Sequence, residues 1–226
     1  MRSLFFLLLC LCDPALACPR IDGVPDHNCD GKVEIVVMGD SLAYGFGDTQ
    51  NRNKGGYVLR AARTLRNVTF INFAKRGAFT KDVLSILSNA FTKHTLPEVE
   101  SALANADYVI IDVGRNDRWL FKPVIASYRN VKRAVSMIER GAIDLEKIPP
   151  VIIPAVLMLP NRGAQAPWVV EFNGYVRLGN RRSHIPDLRF DLVSKYLLSE
   201  DQIHPTSKGY AALSRVFVNF LKKLKS

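Results

Sequence analysis

The chain has 226 residues, the length of one ordinary domain or at most two small ones. Apolar residues make up 48% of the sequence and charged residues 23%, a balance that excludes an intrinsically disordered protein and a collagen-like repeat. The formal net charge of +10 favours an anionic partner, such as a nucleic acid, an acidic polysaccharide or a phospholipid surface, without choosing among them.

Residues 1–17 have the pattern of a secretory signal peptide. Arg2 precedes the apolar run Leu4–Cys12, and Ala15-Leu16-Ala17 has the A-x-A form of a cleavage site. The run is much shorter than the ~20 apolar residues that span a bilayer. We therefore expect a secreted or periplasmic protein whose mature chain begins at Cys18.

Two cysteines remain after this cleavage. Cys18 and Cys29 can pair as a disulfide in an oxidising compartment, within a polar N-terminal arm over residues 18–32 that we expect to be a loop. Lipidation of Cys18, as in bacterial lipoproteins, is the alternative. Ala15 stands where such signals usually carry leucine, so we rank lipidation second.

Strands and helices alternate from residue 33 to residue 226, without a repeat or a linker. The pattern predicts strands over Val33–Met38, Val68–Phe73, Tyr108–Val113, Val151–Leu157 and Leu188–Leu192. It predicts helices over Tyr57–Arg66, Thr80–Phe91, Leu96–Ala104, Val124–Arg140, Ala166–Asn180 and Thr206–Lys225. This alternation indicates βαβ units. We expect an α/β fold, a three-layer α/β/α sandwich with a mostly parallel sheet of about five strands.

Short polar blocks follow the predicted strands, where ligands of parallel sheets bind. The blocks are Gly39-Asp40-Ser41-Leu42, Ala74-Lys75-Arg76-Gly77, Gly114-Arg115-Asn116-Asp117 and, before the last helix, Asp201-Gln202-Ile203-His204-Pro205. A serine becomes a good nucleophile when a base removes its proton, and a histidine oriented by a carboxylate suits that task. Ser41, His204 and Asp201 supply these groups, and Gly77 and Asn116 supply donors for an oxyanion.

In these four blocks the sequence resembles the SGNH hydrolases, also called GDSL esterases and lipases, from Val33 to Ser226. The resemblance implies the flavodoxin-like SGNH fold and no cofactor. It implies Ser41 as the nucleophile, His204 as the general base and Asp201 as its orienting partner. It also implies an oxyanion hole built from the backbone N–H groups of Ser41 and Gly77 and the side-chain amide of Asn116.

Other residues near these blocks have two readings. Arg115 stands where the family usually has a small residue or threonine; its guanidinium can bind an anionic substrate group or point outward into solvent, and we favour the second. Asp40 and Asp117 are expected to make structural hydrogen bonds. Trp119 and Phe121 can line an acyl pocket, but core packing is favoured.

Two ligand classes lack a pattern in the sequence. The chain contains neither H-x-x-x-H nor C-x-x-C, so no metal site is predicted. Its basic residues are scattered without the interleaved aromatic residues that nucleic-acid binders use, so no nucleic-acid partner is expected.

Three functions fit the sequence. The first is a secreted serine ester hydrolase, an esterase or lipase, that acts on a small-molecule, lipid or acylated-polysaccharide ester; the net charge fits an anionic substrate and peripheral contact with a membrane. The second is an O-acyltransferase on the same triad, with a sugar hydroxyl in place of water. The third is a non-catalytic surface-binding module, which the intact Ser41, His204, Asp201, Gly77 and Asn116 disfavour. The oligomeric state does not follow from the sequence.

Overall fold

The computed structural model describes residues 18–163 and 165–225, so the predicted signal peptide lies outside the described residues. The strands are β1 (Arg20–Ile21), β2 (Val24–Pro25), β3 (Glu34–Gly39), β4 (Thr69–Asn72), β5 (Tyr108–Asp112) and β6 (Val151–Pro154). The α-helices are α1 (Ser41–Tyr44), α2 (Gly56–Thr64), α3 (Thr80–Phe91), α4 (Pro97–Asn105), α5 (Val124–Asp144), α6 (Gln165–Arg182) and α7 (Ser207–Lys223).

Four parallel strands form the central sheet in the order β4-β3-β5-β6. Ile35 of β3 pairs with Phe70 of β4 on one side and with Tyr108 of β5 on the other. The strand order therefore reverses at β3, and a crevice opens between the carboxyl ends of β3 and β5, where ligands of such sheets bind. The predicted α/β fold is confirmed.

The sheet is covered by helices on both faces because successive side chains of a strand point to opposite sides. In β3, Ile35 and Val37 face the layer that contains α2 and α7, whereas Val36 and Met38 face the layer that contains α3, α4, α5 and α6. All four side chains are buried. Burial on both faces explains why the sequence of β3 is nearly continuous in apolar residues.

The predicted fifth strand, Leu188–Leu192, is wrong. Arg189 makes a single parallel bridge to Val156, and the chain then turns into the 3-10 helix Phe190–Leu192. The carboxylate of Asp191 accepts hydrogen bonds from Nε and Nη2 of Arg189 at 2.7 and 2.8 Å. This local pair favours a turn over continued strand pairing, so the described sheet has four strands.

β6 is shorter than predicted and ends at Pro154 instead of Leu157. Proline has no N–H to donate, which confines it to sheet edges, strand ends and bulges. β6 pairs only with β5 in the described sheet, so Pro154 sits at both an edge and a strand end.

The N-terminal arm, expected to be a loop, contains the antiparallel pair β1–β2 and a disulfide between Cys18 and Cys29. The arm is fixed to the end of α7, because the guanidinium of Arg20 donates to the carbonyl oxygens of Lys222 and Leu224 at 2.7 and 3.1 Å. The backbone N–H of His27 also donates to Asp107, directly before β5, at 2.6 Å, so the arm packs at the edge of the sheet where the strands begin.

Candidate active site

Ser41 is the first residue of α1 and directly follows the tight turn at the end of β3, at the carboxyl edge of the sheet. A Cβ on Gly39 would lie 2.5 Å from the Cβ of Ala43, so the turn requires glycine there. The carboxylate of Asp40 accepts a hydrogen bond from the backbone N–H of Leu42 at 3.0 Å and caps α1. Strand, glycine and cap together fix the position of Ser41.

His204 and Asp201 meet Ser41 in space although they are far from it in the sequence. Nε2 of His204 lies 2.8 Å from Oγ of Ser41, and Nδ1 lies 2.5 Å from the carboxylate of Asp201. A carboxylate only accepts, so Nδ1 carries the proton, and in the neutral ring the lone pair of Nε2 faces the serine hydroxyl. The structure thus brings the three predicted residues into one hydrogen-bonded line.

Further donors surround the carboxylate of Asp201. It accepts hydrogen bonds from the backbone N–H groups of Ile203 and His204 at 2.9 Å and from the hydroxyl of Ser199 at 2.8 Å. Partial burial acts to raise the pKa of Asp201, but the hydrogen bonds from His204, Ile203 and Ser199 outweigh it and hold the pKa below its usual range. Asp201 therefore stays ionised beside the imidazole.

The predicted oxyanion donors come from three segments that follow β3, β4 and β5, and the last two of these are joined directly. The side-chain amide of Asn116 donates one hydrogen bond to the carbonyl of Ala78, the residue after Gly77, at 3.0 Å. The amide nitrogen of Asn116 carries a second N–H. Within residues 18–163 and 165–225, the backbone N–H groups of Ser41 and Gly77 have no hydrogen-bond partner. These groups are therefore free to bind an oxyanion.

Asp117 anchors the same pair of loops. Its carboxylate accepts hydrogen bonds from the backbone N–H of Thr80 at 2.9 Å and from the Thr80 hydroxyl at 2.5 Å. The side-chain amide of Asn130 on α5 donates to the Thr80 hydroxyl at 2.9 Å. Asp117 and Asp40 thus make the structural hydrogen bonds expected of them.

Both sequence-based readings of Arg115 are wrong. The side chain is buried, with 2% exposure for the residue, and it donates to Asp40 at 3.1 and 3.2 Å and to Asp112 at 2.7 Å. Tyr57 donates to Asp112 at 3.0 Å. The guanidinium is drawn inward because two carboxylates at the ends of β3 and β5 need a positive charge once they are buried.

The charges of this buried cluster influence one another. Burial acts to lower the pKa of Arg115, but Asp112 and Asp40 outweigh it and raise the pKa above its ordinary value. Burial raises the pKa of Asp40, and Arg115 offsets part of that rise. Arg115 stays charged in the interior and is not available to an anionic substrate.

The aromatic side chains that follow the third block do not enter the core. Trp119 is 52% exposed and Phe121 is 83% exposed, so the favoured expectation of core packing is wrong for both. The guanidinium of Arg118 lies over the Phe121 ring at 5.6 Å. The 3-10 helix Arg115–Leu120 turns these residues outward once Arg115 and Asp117 occupy the buried positions.

Asp48 connects the loop after Ser41 to the start of α7. Its buried carboxylate accepts hydrogen bonds from Arg60 at 2.8 and 3.0 Å, from the amide of Asn51 at 2.6 Å and from the hydroxyl of Ser207 at 2.9 Å. Burial acts to raise the pKa of Asp48, but the bonds from Arg60, Asn51 and Ser207 outweigh it and lower the pKa. Ser207 lies three residues after His204. Asp48 therefore links the loop that follows Ser41 to the segment that carries His204.

Asp48 and Phe46, whose ring packs against His204, were not predicted from the sequence. Both lie in the loop after Ser41. A search of that loop for polar and aromatic side chains that could be buried would have found them.

Neither a cluster of metal ligands nor a membrane-spanning helix occurs among the described residues. No group of three His, Cys, Asp or Glu side chains within residues 18–163 and 165–225 is placed to hold a metal ion. Over the same ranges, every helix is too short or too polar to cross a membrane.

Comparison with known proteins adds evidence from sequence. Residues 37–212 match the model of the GDSL-like Lipase/Acylhydrolase family. The uncharacterized protein YpmR of Bacillus subtilis (strain 168) is 26% identical in an alignment of 231 positions that covers 87% of this chain and 85% of YpmR.

Solved structures share the fold. The lipase Lip_vut3 from a goat rumen metagenome has a TM-score of 0.68 at 21% identity, over 84% of this chain and 97% of that one. The psychrotrophic esterase EstA from Pseudoalteromonas sp. has a TM-score of 0.62 at 18% identity, over 84% of this chain and 97% of that one. The family model covers most of the chain, and the resemblance seen in the sequence is confirmed: the chain belongs to the GDSL-like lipase/acylhydrolase family.

Proposed function

We propose that this protein is an exported serine esterase that hydrolyses carboxylic esters through an acyl-enzyme on Ser41. The hydrogen-bonded line from Ser41 through His204 to Asp201 carries this proposal. Membership of the GDSL-like family implies an ester-hydrolysing enzyme in general. The intact line also speaks against a non-catalytic binding module, which gains nothing from an imidazole held between a serine and a carboxylate.

Acylation begins when Oγ of Ser41 forms a bond to the ester carbonyl carbon and its proton moves to Nε2 of His204. Asp201 holds the ring through Nδ1 and stabilises the positive charge that results. The carbonyl oxygen becomes an oxyanion, to which the N–H groups of Ser41, Gly77 and Asn116 donate. The bond to the alcohol oxygen then breaks, and the alcohol leaves with the proton from Nε2.

Deacylation repeats these steps with water. His204 takes a proton from water, the resulting hydroxide oxygen bonds to the acyl carbon, and the bond to Ser41 breaks. The carboxylic acid leaves, and Ser41 regains its proton from His204. A hydroxyl acceptor in place of water would give acyl transfer, so product analysis with and without an added alcohol separates the two reactions.

Two observations support export of the protein from the cytoplasm. Residues 1–17 have the signal-peptide pattern, and Cys18 is paired with Cys29 in a disulfide, a bond that persists in oxidising compartments. A cysteine in a disulfide has no free thiol to carry a lipid, which favours a secreted or periplasmic protein over a lipoprotein. The substrates open to such an enzyme are small-molecule, lipid and acylated-polysaccharide esters.

The test uses the mature chain from Cys18 and the variant S41A. We expect the wild-type protein to hydrolyse 4-nitrophenyl acetate and to take up a fluorophosphonate label on Ser41, and S41A to do neither. S136A, which changes a serine on α5, is the matched control and should behave as wild type. A structure of EstA inhibited by monoethylphosphonate supports the choice of a phosphonate probe. Labelling at another residue, or a folded S41A with full activity, would refute the assignment.

A further inference from the structure

Arg76 places a guanidinium beside the proposed general base. Its guanidinium carbon lies 3.9 Å from the ring centroid of Phe46. The Phe46 ring in turn packs edge-on against the ring of His204, with centroids 4.7 Å apart and planes at 77°. Arg76 is exposed and directly precedes Gly77, a proposed oxyanion donor. A positive charge therefore lies one aromatic ring away from His204, at the rim of the site.

The charge of Arg76 is not neutralised by the described part of the chain. Over residues 18–163 and 165–225, the ion pairs of arginine side chains join Arg60, Arg115 and Arg189 to aspartates, and none includes Arg76. Stacking on Phe46 orders one face of the guanidinium and leaves the N–H groups at its edge free to donate. Arg76 is thus an ordered cation with open donors.

We propose that Arg76, stacked on Phe46, binds a carboxylate or phosphate group of the ester substrate. This subsite presupposes the proposed esterase function and names the substrate class for the same site. A guanidinium can donate two parallel N–H bonds to such a group. An anion held there lies one aromatic ring away from His204, and therefore near the reacting carbonyl. The net charge of +10 also favours the approach of anionic molecules.

The test compares pairs of esters in which the anionic group of one member is masked by methylation in the other. One pair is mono-4-nitrophenyl glutarate and its methyl ester, which place or mask a carboxylate on the acyl side. The other is 4-acetoxyphenyl phosphate and its dimethyl ester, which place or mask a phosphate on the alcohol side. The readout is the ratio of kcat/KM for the anionic member to kcat/KM for the neutral member, so a general loss of activity cancels.

The ratio is measured for the wild-type protein and the variants R76Q, R76K and R140Q. In at least one pair we expect R76Q to lower it by about tenfold, the size of one lost charge-assisted hydrogen bond. The ratio for R76K should lie between those of the wild-type protein and R76Q, because lysine keeps the positive charge but lacks the planar guanidinium with its paired N–H donors. Arg140, an exposed arginine in the second half of α5, is the matched control, and R140Q should leave the ratio unchanged.

Salt provides a second readout. High salt should reduce the wild-type ratio toward that of R76Q and should have little effect on R76Q itself, because an exposed ion pair is screened. The pair that responds shows which arrangement the subsite takes, a carboxylate on the acyl side or a phosphate on the alcohol side.

A change in the ratio of less than about threefold for R76Q in both pairs, or an equal change in R140Q, would overturn the subsite. Turnover of the esters with unchanged ratios would leave the esterase function in place. Failure of the wild-type protein to hydrolyse any of the four esters would overturn the esterase function and the subsite together.

Discussion

The guanidinium of Arg115 lies 3.1 Å from the carboxylate of Asp40, and this contact joins the turn that carries Ser41 to the turn that carries Asn116. The carboxylate of Asp112, the last residue of β5, accepts a hydrogen bond from the other Nη atom of the same guanidinium at 2.7 Å. The nucleophile and an oxyanion donor are therefore attached to one buried cluster of charges, and neither turn can shift without breaking an ion pair.

The first prediction concerns the stability of this cluster. R115M should lower the free energy of unfolding by about 3–5 kcal/mol, because it leaves Asp40 and Asp112 buried without a counter-charge. Urea unfolding followed by circular dichroism measures the difference. R129Q, which changes an exposed arginine on α5, should stay within about 0.5 kcal/mol of wild type. An R115M protein as stable as R129Q would show that the cluster does not depend on Arg115.

The second prediction concerns the oxyanion. N116A should lower kcat for 4-nitrophenyl acetate by about 10²–10³-fold, because it removes a donor to the charge that develops in the transition state. Thermal unfolding of the same variant shows whether loss of the bond to Ala78 disturbs the fold. N105A, at the end of α4, removes an amide just before β5 begins, at the edge of the sheet opposite to the site, and should keep its kcat. A loss of only a few-fold in folded N116A would reject the donor role.

The third prediction concerns pH. Because hydrogen bonds hold the pKa of Asp201 below its usual range, that carboxylate stays ionised in mild acid. Catalysis requires an unprotonated Nε2 on His204, because only then can the ring accept the proton of Ser41. We expect kcat/KM to fall with decreasing pH along a line of unit slope on a logarithmic plot. A steeper slope, or a flat profile from mild acid to neutral pH, would contradict this arrangement.

The fourth prediction concerns Asp48. D48N should lower the free energy of unfolding at neutral pH by about 1–3 kcal/mol, because the ionised carboxylate accepts charge-assisted bonds from Arg60. The folded pKa of Asp48 is lowered, so its contribution is present above the ordinary aspartate pKa and is lost as the pH falls through the folded pKa. Urea unfolding at several pH values should show the gap between wild type and D48N closing in acid. A gap that stays constant or widens in acid would refute the sign.

Local patterns predicted most of the helices and the four strands of the sheet. The helix Thr80–Phe91 was predicted with its observed bounds because its apolar spacing is regular and it ends clearly. The fifth strand failed because a short apolar run does not reveal that Arg189 pairs with Asp191 and turns the chain. Strand existence is thus easier to predict than strand length or pairing.

Some residues of the site could likewise be predicted from local sequence motifs, and others could not. The Ser41 turn and the Asp201–His204 block were visible because each is a short motif at an element boundary, and the fold brings them together. The partners of Arg115 were not visible, since a sequence does not show which buried carboxylates, here from the ends of β3 and β5, will meet one guanidinium. The contact of Phe46 with His204 likewise depends on the path of a loop.

The two ends of the described chain lie together at the edge of the sheet where the strands begin, opposite to Ser41. α7 starts just after the His204 block and runs 17 residues, about 25 Å, to the carbonyls that Arg20 holds. An affinity tag, a fluorophore or a solid support coupled near either end would therefore be attached at the edge of the sheet opposite to Ser41. Immobilised in that way, every molecule would present its crevice to the solution.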